Sequence, residues 1–167
     1  MARRSPLQDV ALPDGLREIP FRAQVNLRAV LPGLPRPGGA RCEGDRTTLG
    51  LGPDEWLVLG PDGAQADIER DLRARIGGGW GAVTDVSAQR TTLELSAPRA
   101  RDLLAKGCSL DLHPRAFGPG RCAQTDLGRA NVVLHQVDEG PTYELLVAGS
   151  LAAYLAAWLA DAMEEYG

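Results

Sequence analysis

The sequence has few cysteines and histidines, the residues that build most zinc sites and, for cysteine, disulfide networks. Its three cysteines, Cys42, Cys108 and Cys122, lie far apart and form no Cys-x-x-Cys pair. An odd number of dispersed cysteines predicts reduced thiols rather than a disulfide framework or a zinc site. No apolar run approaches the roughly 18 residues of a membrane-spanning helix. We therefore expect a soluble, cytoplasmic protein with no membrane partner.

Lysine is nearly absent, and positive charge does not dominate. Lys106 is the only lysine among 18 basic residues, and the formal net charge is −4. Proteins that bind nucleic acid generally present a basic face to the phosphates. The acidic balance therefore argues against a nucleic-acid partner.

Motifs for catalysis and for nucleotide binding are also missing. The chain has no Gly-x-Ser-x-Gly elbow, no Gly-x-Gly-x-x-Gly after a strand and no phosphate-binding loop. Of its two histidines, His135 lies within an apolar strand, where a hydrogen-bonded core role is the favoured interpretation. His113 precedes a proline in a polar loop, and a hydrolase or transferase that uses it as a base stays open as an alternative. We predict no catalytic, cofactor-binding or metal-binding residue on this chain.

The residue pattern predicts a succession of short strands and three helices. Alternation of apolar and polar residues, as in residues 21–30, predicts strands with one buried face. Apolar residues at helical spacing, with glycines at the ends, predict helices that end near Ile76, Lys106 and Met163. This order predicts an α+β fold of antiparallel sheet with helices packed on one side.

The domain organisation follows from where this pattern begins. Residues 1–20 contain Pro6, Pro13 and Pro20 and show no periodicity, so we predict a flexible N-terminal tail. Residues 21–167 then form a single domain. A strand, turn, strand and helix recur along it, so two related halves, about 21–80 and 81–167, are one interpretation.

The last predicted helix carries no charge between Ser150 and Ala160. A helix that is apolar all round is usually buried all round, whereas one face of a helix in a small monomer should meet water. One interpretation is that alanine is a neutral helix former; the other is that the helix meets another subunit. Under the second interpretation the candidate contact residues are Ala153, Tyr154, Ala157 and Trp158.

Two stretches carry a resemblance to known families. Residues 83–104, which include Asp85, Ser87, Ser96 and Pro98, are similar to a signature of the folate-binding aminomethyltransferase superfamily. Their continuation, which includes Cys-Ser-Leu-Asp-Leu-His-Pro-Arg at 108–115, resembles the gamma subunit family of heterotetrameric sarcosine oxidase. Further similarities extend this resemblance to roughly residues 47–165.

The resemblance implies an α+β fold like part of the aminomethyltransferase folate-binding domain. It also implies a non-catalytic subunit of an enzyme that oxidatively demethylates sarcosine to glycine. In such an enzyme FAD, FMN, NAD and tetrahydrofolate would bind to the alpha and beta subunits, and the delta subunit would hold zinc. This chain would bind no cofactor, and its partners would be the alpha, beta and delta subunits.

The resemblance leaves one alternative, which is a stand-alone folate-binding protein. At Asn131 the sequence has an amide where the aminomethyltransferases keep a functional carboxylate, and an amide cannot stabilise a developing iminium charge equally well. Within the resembling stretch, only the loop 108–121 lacks a local structural reason for its residues. We therefore expect it to dock against a partner through His113, Arg115 and Phe117.

Overall fold

The computed structural model describes residues 3–166 and is built mainly of short strands. The described residues form ten strands, which in chain order are β1 (Leu16–Ile19), β2 (Ala23–Ala29), β3 (Ala40–Glu43), β4 (Arg46–Gly52), β5 (Glu55–Gly60), β6 (Gly81–Asp85), β7 (Arg90–Ser96), β8 (Arg121–Leu127), β9 (Ala130–Gln136) and β10 (Thr142–Ala148). The helices are α1 (Gln65–Ile76), α2 (Ala100–Ala105) and α3 (Ala152–Glu164), with a 3₁₀ turn at Gly149–Leu151 before α3. No helix among residues 3–166 is long and apolar enough to cross a membrane.

The chain divides into two compact units, and the second of them, residues 21–88, is continuous in sequence. Its sheet has the strand order β3-β4-β5-β2-β6, and every neighbouring pair is antiparallel. Helix α1 packs on β2, β5 and β6 through a stripe that includes the buried Ile68 and Leu72. Both side chains pack against the apolar face of β2, so the core of this unit lies between the helix and one side of the sheet.

The other unit combines residues 1–20 with residues 89–167, of which 3–20 and 89–166 are described. Its antiparallel sheet has the order β1-β7-β10-β9-β8. Alternate residues of the central strands, such as Leu93, Leu95, Leu145 and Val147, enter one apolar core together with residues of α2 and α3. Antiparallel sheets with helices on one side therefore confirm the predicted fold class.

The domain predictions need correction. Leu16–Ile19 is not a flexible tail, because it pairs with β7 from Leu16 opposite Leu95 to Ile19 opposite Thr92. Leu7 and Leu16 are both buried, so apolar contact holds this segment in place. The single domain predicted over 21–167 is likewise two units, and the division falls after Ala88 rather than near residue 80 because β6 pairs with β2.

Candidate functional site

Helix α3 has one buried stripe and one exposed side. Its buried residues are Ala152, Leu155, Ala156, Leu159 and Ala162. Ala153 and Ala157 lie four residues apart on the exposed side, where side chains at i and i+4 are neighbours. The uncharged part of α3 therefore exposes the small side chains of Ala153 and Ala157 to solvent.

Tyr154 is fixed beside this surface by the turn between β8 and β9. Its hydroxyl oxygen accepts a hydrogen bond of 3.0 Å from the backbone N–H of Arg129. Gly128 has φ of 60°, and a Cβ atom at that position would lie 2.7 Å from the Tyr154 hydroxyl. A side chain at Gly128 would be strained in this conformation and would also displace Tyr154. The ring, which is 37% exposed, is therefore held in a defined position.

Trp158 packs one turn further along α3 against a second glycine. A Cβ atom at Gly107 would lie 2.6 Å from Cζ2 of the Trp158 indole, so only glycine allows this close approach. The backbone N–H of Gly128 donates to the carbonyl of Gly107 at 3.0 Å, which joins the two glycine segments. Trp158 remains half-buried, with part of its ring at the surface.

We call the surface formed by Ala153, Tyr154, Ala157, Trp158 and Arg129 the α3 patch. Arg129 is exposed, and within residues 3–166 no carboxylate lies in salt-bridge distance of its guanidinium. Aromatic rings and arginine are the residue types enriched at protein–protein contact surfaces. Sequence reasoning missed Arg129, which is adjacent to Tyr154 only through the fold.

The loop between α2 and β8 is anchored at two points. Leu112 and Phe117 are 4% and 5% exposed and both belong to the core around α2 and α3. The prediction that Phe117 contacts a partner is therefore wrong, because its ring is already used in the core. Between these anchors, His113 and Arg115 are exposed at the tip of the loop.

His113 has a local structural role at this tip. Its Nδ1 accepts a hydrogen bond of 3.2 Å from the backbone N–H of Arg115. Its own backbone N–H donates to Asp111 Oδ1 at 2.9 Å, and its carbonyl accepts from the N–H of Phe117 at 2.9 Å. These bonds shape the tip, and in residues 3–166 no hydrogen bond or ring contact joins His113 or Arg115 to the α3 patch.

His135 is a core histidine, as its strand position predicts. Its Nδ1 lies 3.2 Å from Glu144 Oε2 across the β9–β10 pair, and both side chains are buried. On the other side of Glu144, Glu94 of β7 lies opposite it in the β10–β7 register. Glu94 accepts two hydrogen bonds from Arg17, at 2.6 and 2.9 Å. The His135–Glu144 contact therefore joins β9 to β10.

Comparisons with known proteins agree on one family. Residues 23–165 match the model of the sarcosine oxidase gamma subunit family. The sarcosine oxidase subunit gamma of Corynebacterium sp. (strain P-1) is 38% identical over an alignment that covers 98% of this chain and 91% of that relative.

Solved structures show the same relationship. A chain of the heterotetrameric sarcosine oxidase from Corynebacterium sp. U-96, in complex with pyrrole 2-carboxylate, has a TM-score of 0.86 and 32% identity. The match covers 98% of this chain and 96% of that one. Aminomethyltransferase T of the glycine cleavage system from Bartonella henselae has a TM-score of 0.66 over 87% of this chain and 45% of its own; at 16% identity this likeness shows the fold alone. The chain therefore belongs to the sarcosine oxidase gamma subunit family.

Proposed function

We propose that this chain is a non-catalytic gamma subunit that supports assembly of a heterotetrameric sarcosine oxidase. The observation that supports this most strongly is the likeness to one chain of the Corynebacterium sp. U-96 enzyme, which extends over 98% of this sequence. The likeness also extends over 96% of that chain. The role of such a chain is to bring and hold other subunits together.

The partners in this proposal are alpha, beta and delta subunits. The complex converts sarcosine to glycine and forms hydrogen peroxide, with the removed carbon released as formaldehyde or captured as methylene-tetrahydrofolate. FAD, FMN, NAD and tetrahydrofolate bind to the alpha and beta subunits, and this chain binds none of them. The complex works in the cytoplasm.

The α3 patch is the contact surface that we assign to this assembly. Ala153 and Ala157 are small and exposed, so another subunit can approach the helix backbone closely. The rings of Tyr154 and Trp158 are already fixed by the Gly107 and Gly128 segments, so binding costs little side-chain entropy. The loop tip with His113 and Arg115 is a second, smaller contact, without Phe117.

An arginine at the centre of the α3 patch should prevent assembly without unfolding the chain. Ala157→Arg places a long charged side chain on an exposed helical position, where substitutions usually change stability by less than about 0.5 kcal/mol. At a close subunit contact the same side chain would lose its water and clash. We expect at least about a tenfold loss of co-purified partner subunits when the variant is co-expressed with them.

The matched control is Ala66→Arg, which changes an exposed alanine on helix α1. It should assemble as the unchanged chain does. If Ala157→Arg also assembles fully, the α3 patch is not the contact surface.

A stand-alone folate-binding protein is the second candidate, favoured by the fold shared with aminomethyltransferase T. Asn131 argues against it, because its amide donates to Asp126 Oδ1 at 3.3 Å and supplies no charge of its own. In a calorimetric titration of the isolated chain with tetrahydrofolate, we expect no binding at micromolar concentrations. Saturable micromolar binding would support the second candidate instead.

A further inference from the structure

Trp80 lies on the surface of the unit formed by residues 21–88 and is 75% exposed. It occupies the turn that joins α1 to β6. Tryptophan is usually well buried, because it is the largest apolar side chain. An indole with three quarters of its surface in water therefore has no role in the core of this unit.

The turn that carries Trp80 is held on both sides. Before it, the N–H of Gly77 donates to the carbonyl of Arg73 and that of Gly79 to the carbonyl of Ile76, each at 3.0 Å. After it, Gly81 is already paired with Ala29 in the sheet. The backbone on either side of the indole is thus fixed, which lowers the entropy that binding would cost.

A second exposed apolar side chain lies next to Trp80 in the register of the sheet. The pairing of β2 with β6 ends at Ala29 opposite Gly81, so Val30 and Trp80 are the residues just beyond this end of the two strands. Val30 is 85% exposed. Scattered single exposed apolar residues are normal. It is the position of two of them at the same end of the β2–β6 pair that points to a contact surface.

Positive charge borders these two residues. Arg75 Nη2 donates to the carbonyl of Pro32 at 3.2 Å, and Arg41 Nη1 donates to the carbonyl of Gly33 at 2.6 Å. Both arginines therefore lie at the segment that follows Val30. Arg75 has no carboxylate partner within residues 3–166, and Arg41 is 3.7 Å from the exposed Glu43. The border thus retains positive charge that is not neutralised within the described residues.

We propose that Val30, Arg75 and Trp80, which we call the Trp80 patch, form a further docking surface. Its occupant is an apolar segment with carboxylates on another subunit of the complex. Tryptophan and arginine are among the residue types that contribute most at protein interfaces, and the unneutralised Arg75 selects a partner surface of negative charge. This inference rests on the proposed function, because it takes the occupant from the same assembly.

The test is co-expression of tagged variants with the other subunits, followed by capture and quantification of each subunit. Trp80→Ala and Arg75→Glu should each lower the amount of retained partner at least about tenfold. The controls are Val137→Ala, an apolar residue that is 40% exposed, and Arg70→Glu on the same helix as Arg75. Circular dichroism and thermal unfolding should show all four variants folded, since each changes a surface side chain.

The outcomes separate the inference from the proposed function. If the unchanged chain retains its partners and both Trp80→Ala and Arg75→Glu retain them equally, the Trp80 patch is not a docking surface. If the unchanged chain retains no partner, the proposed function fails and the inference fails with it. If light scattering shows that the isolated chain dimerises and Trp80→Ala abolishes the dimer, the occupant is a second copy and the proposal is overturned.

Discussion

Phe117→Ala should lower the free energy of unfolding by about 3–5 kcal/mol, the range measured for truncation of a buried phenylalanine. The ring is 5% exposed and packs in the core that α2 and α3 share with the sheet. Truncation removes its contacts with this core and leaves a cavity that the loop can fill only in part. Urea unfolding followed by circular dichroism measures the change.

The matched control for this variant is two residues away. Arg115 is exposed on the same loop, so Arg115→Ala should stay within about 0.5 kcal/mol of the unchanged chain. Equal stability of Phe117→Ala and the unchanged chain would show that the ring lies outside the core. A loss of partner binding by Phe117→Ala under those conditions would restore it as a contact residue.

Glu144→Ala should also be strongly destabilising, by on the order of 3 kcal/mol, because it removes one member of a buried pair. His135 Nδ1 lies 3.2 Å from Glu144 Oε2, and the two side chains are 3% and 10% exposed. Without the carboxylate, the imidazole of His135 remains buried but loses this partner, which costs free energy. The opposing Glu94 is bonded to Arg17, so relief of repulsion between the two carboxylates offsets little of this loss.

A double-mutant cycle isolates the contribution of this pair. Glu144→Ala with His135→Ala should cost less than the sum of the two single variants, since the second substitution removes the group left unsatisfied. Glu139→Ala in the exposed turn before β10 is the control and should change stability little. Additive single effects would mean that the 3.2 Å contact contributes nothing to stability.

Strands with a continuous apolar pattern could be predicted from the sequence, whereas strands fixed by their neighbours could not. Residues 91–95 and 143–147 alternate or run apolar, and both fall within observed strands. Leu16–Ile19 and Ala40–Glu43 are each four residues long, and each has as many charged as apolar residues. Leu16–Ile19 forms a strand because it pairs with β7, far away in the chain, and local sequence does not encode such a partner. Ala40–Glu43 forms a strand because it pairs with β4 across the two-residue turn at 44–45, a hairpin that was not predicted from the sequence.

Helix ends show a similar limit. Ser96 is typical of an N-cap followed by Pro98, but α2 begins only at Ala100 and no side chain caps its first turn. Ser96 instead continues β7, where it lies opposite Thr142. Sheet pairing therefore overrides the local capping preference at this position.

The candidate site was predictable in part. The absence of charge on α3 suggested that the helix meets another subunit. That interpretation requires Ala153 and Ala157 to be exposed, and they are. No local pattern indicates that Phe117 points inward, because an aromatic residue between Ala116 and Gly118 suits a core anchor and a partner contact equally. Arg129 and Trp80 become candidates only once folding shows which residues surround them and how far they are exposed.

The most direct test of the central claim is gel filtration of this chain after co-expression with the alpha, beta and delta subunits of a sarcosine oxidase from the same organism. Flavin absorbance and subunit stoichiometry are measured across the peak. We predict one flavin-containing species in which this chain is present in a 1:1 ratio with each of the other subunits. Elution of this chain alone at its own 17.8 kDa, with the other subunits assembled and active without it, would contradict the account.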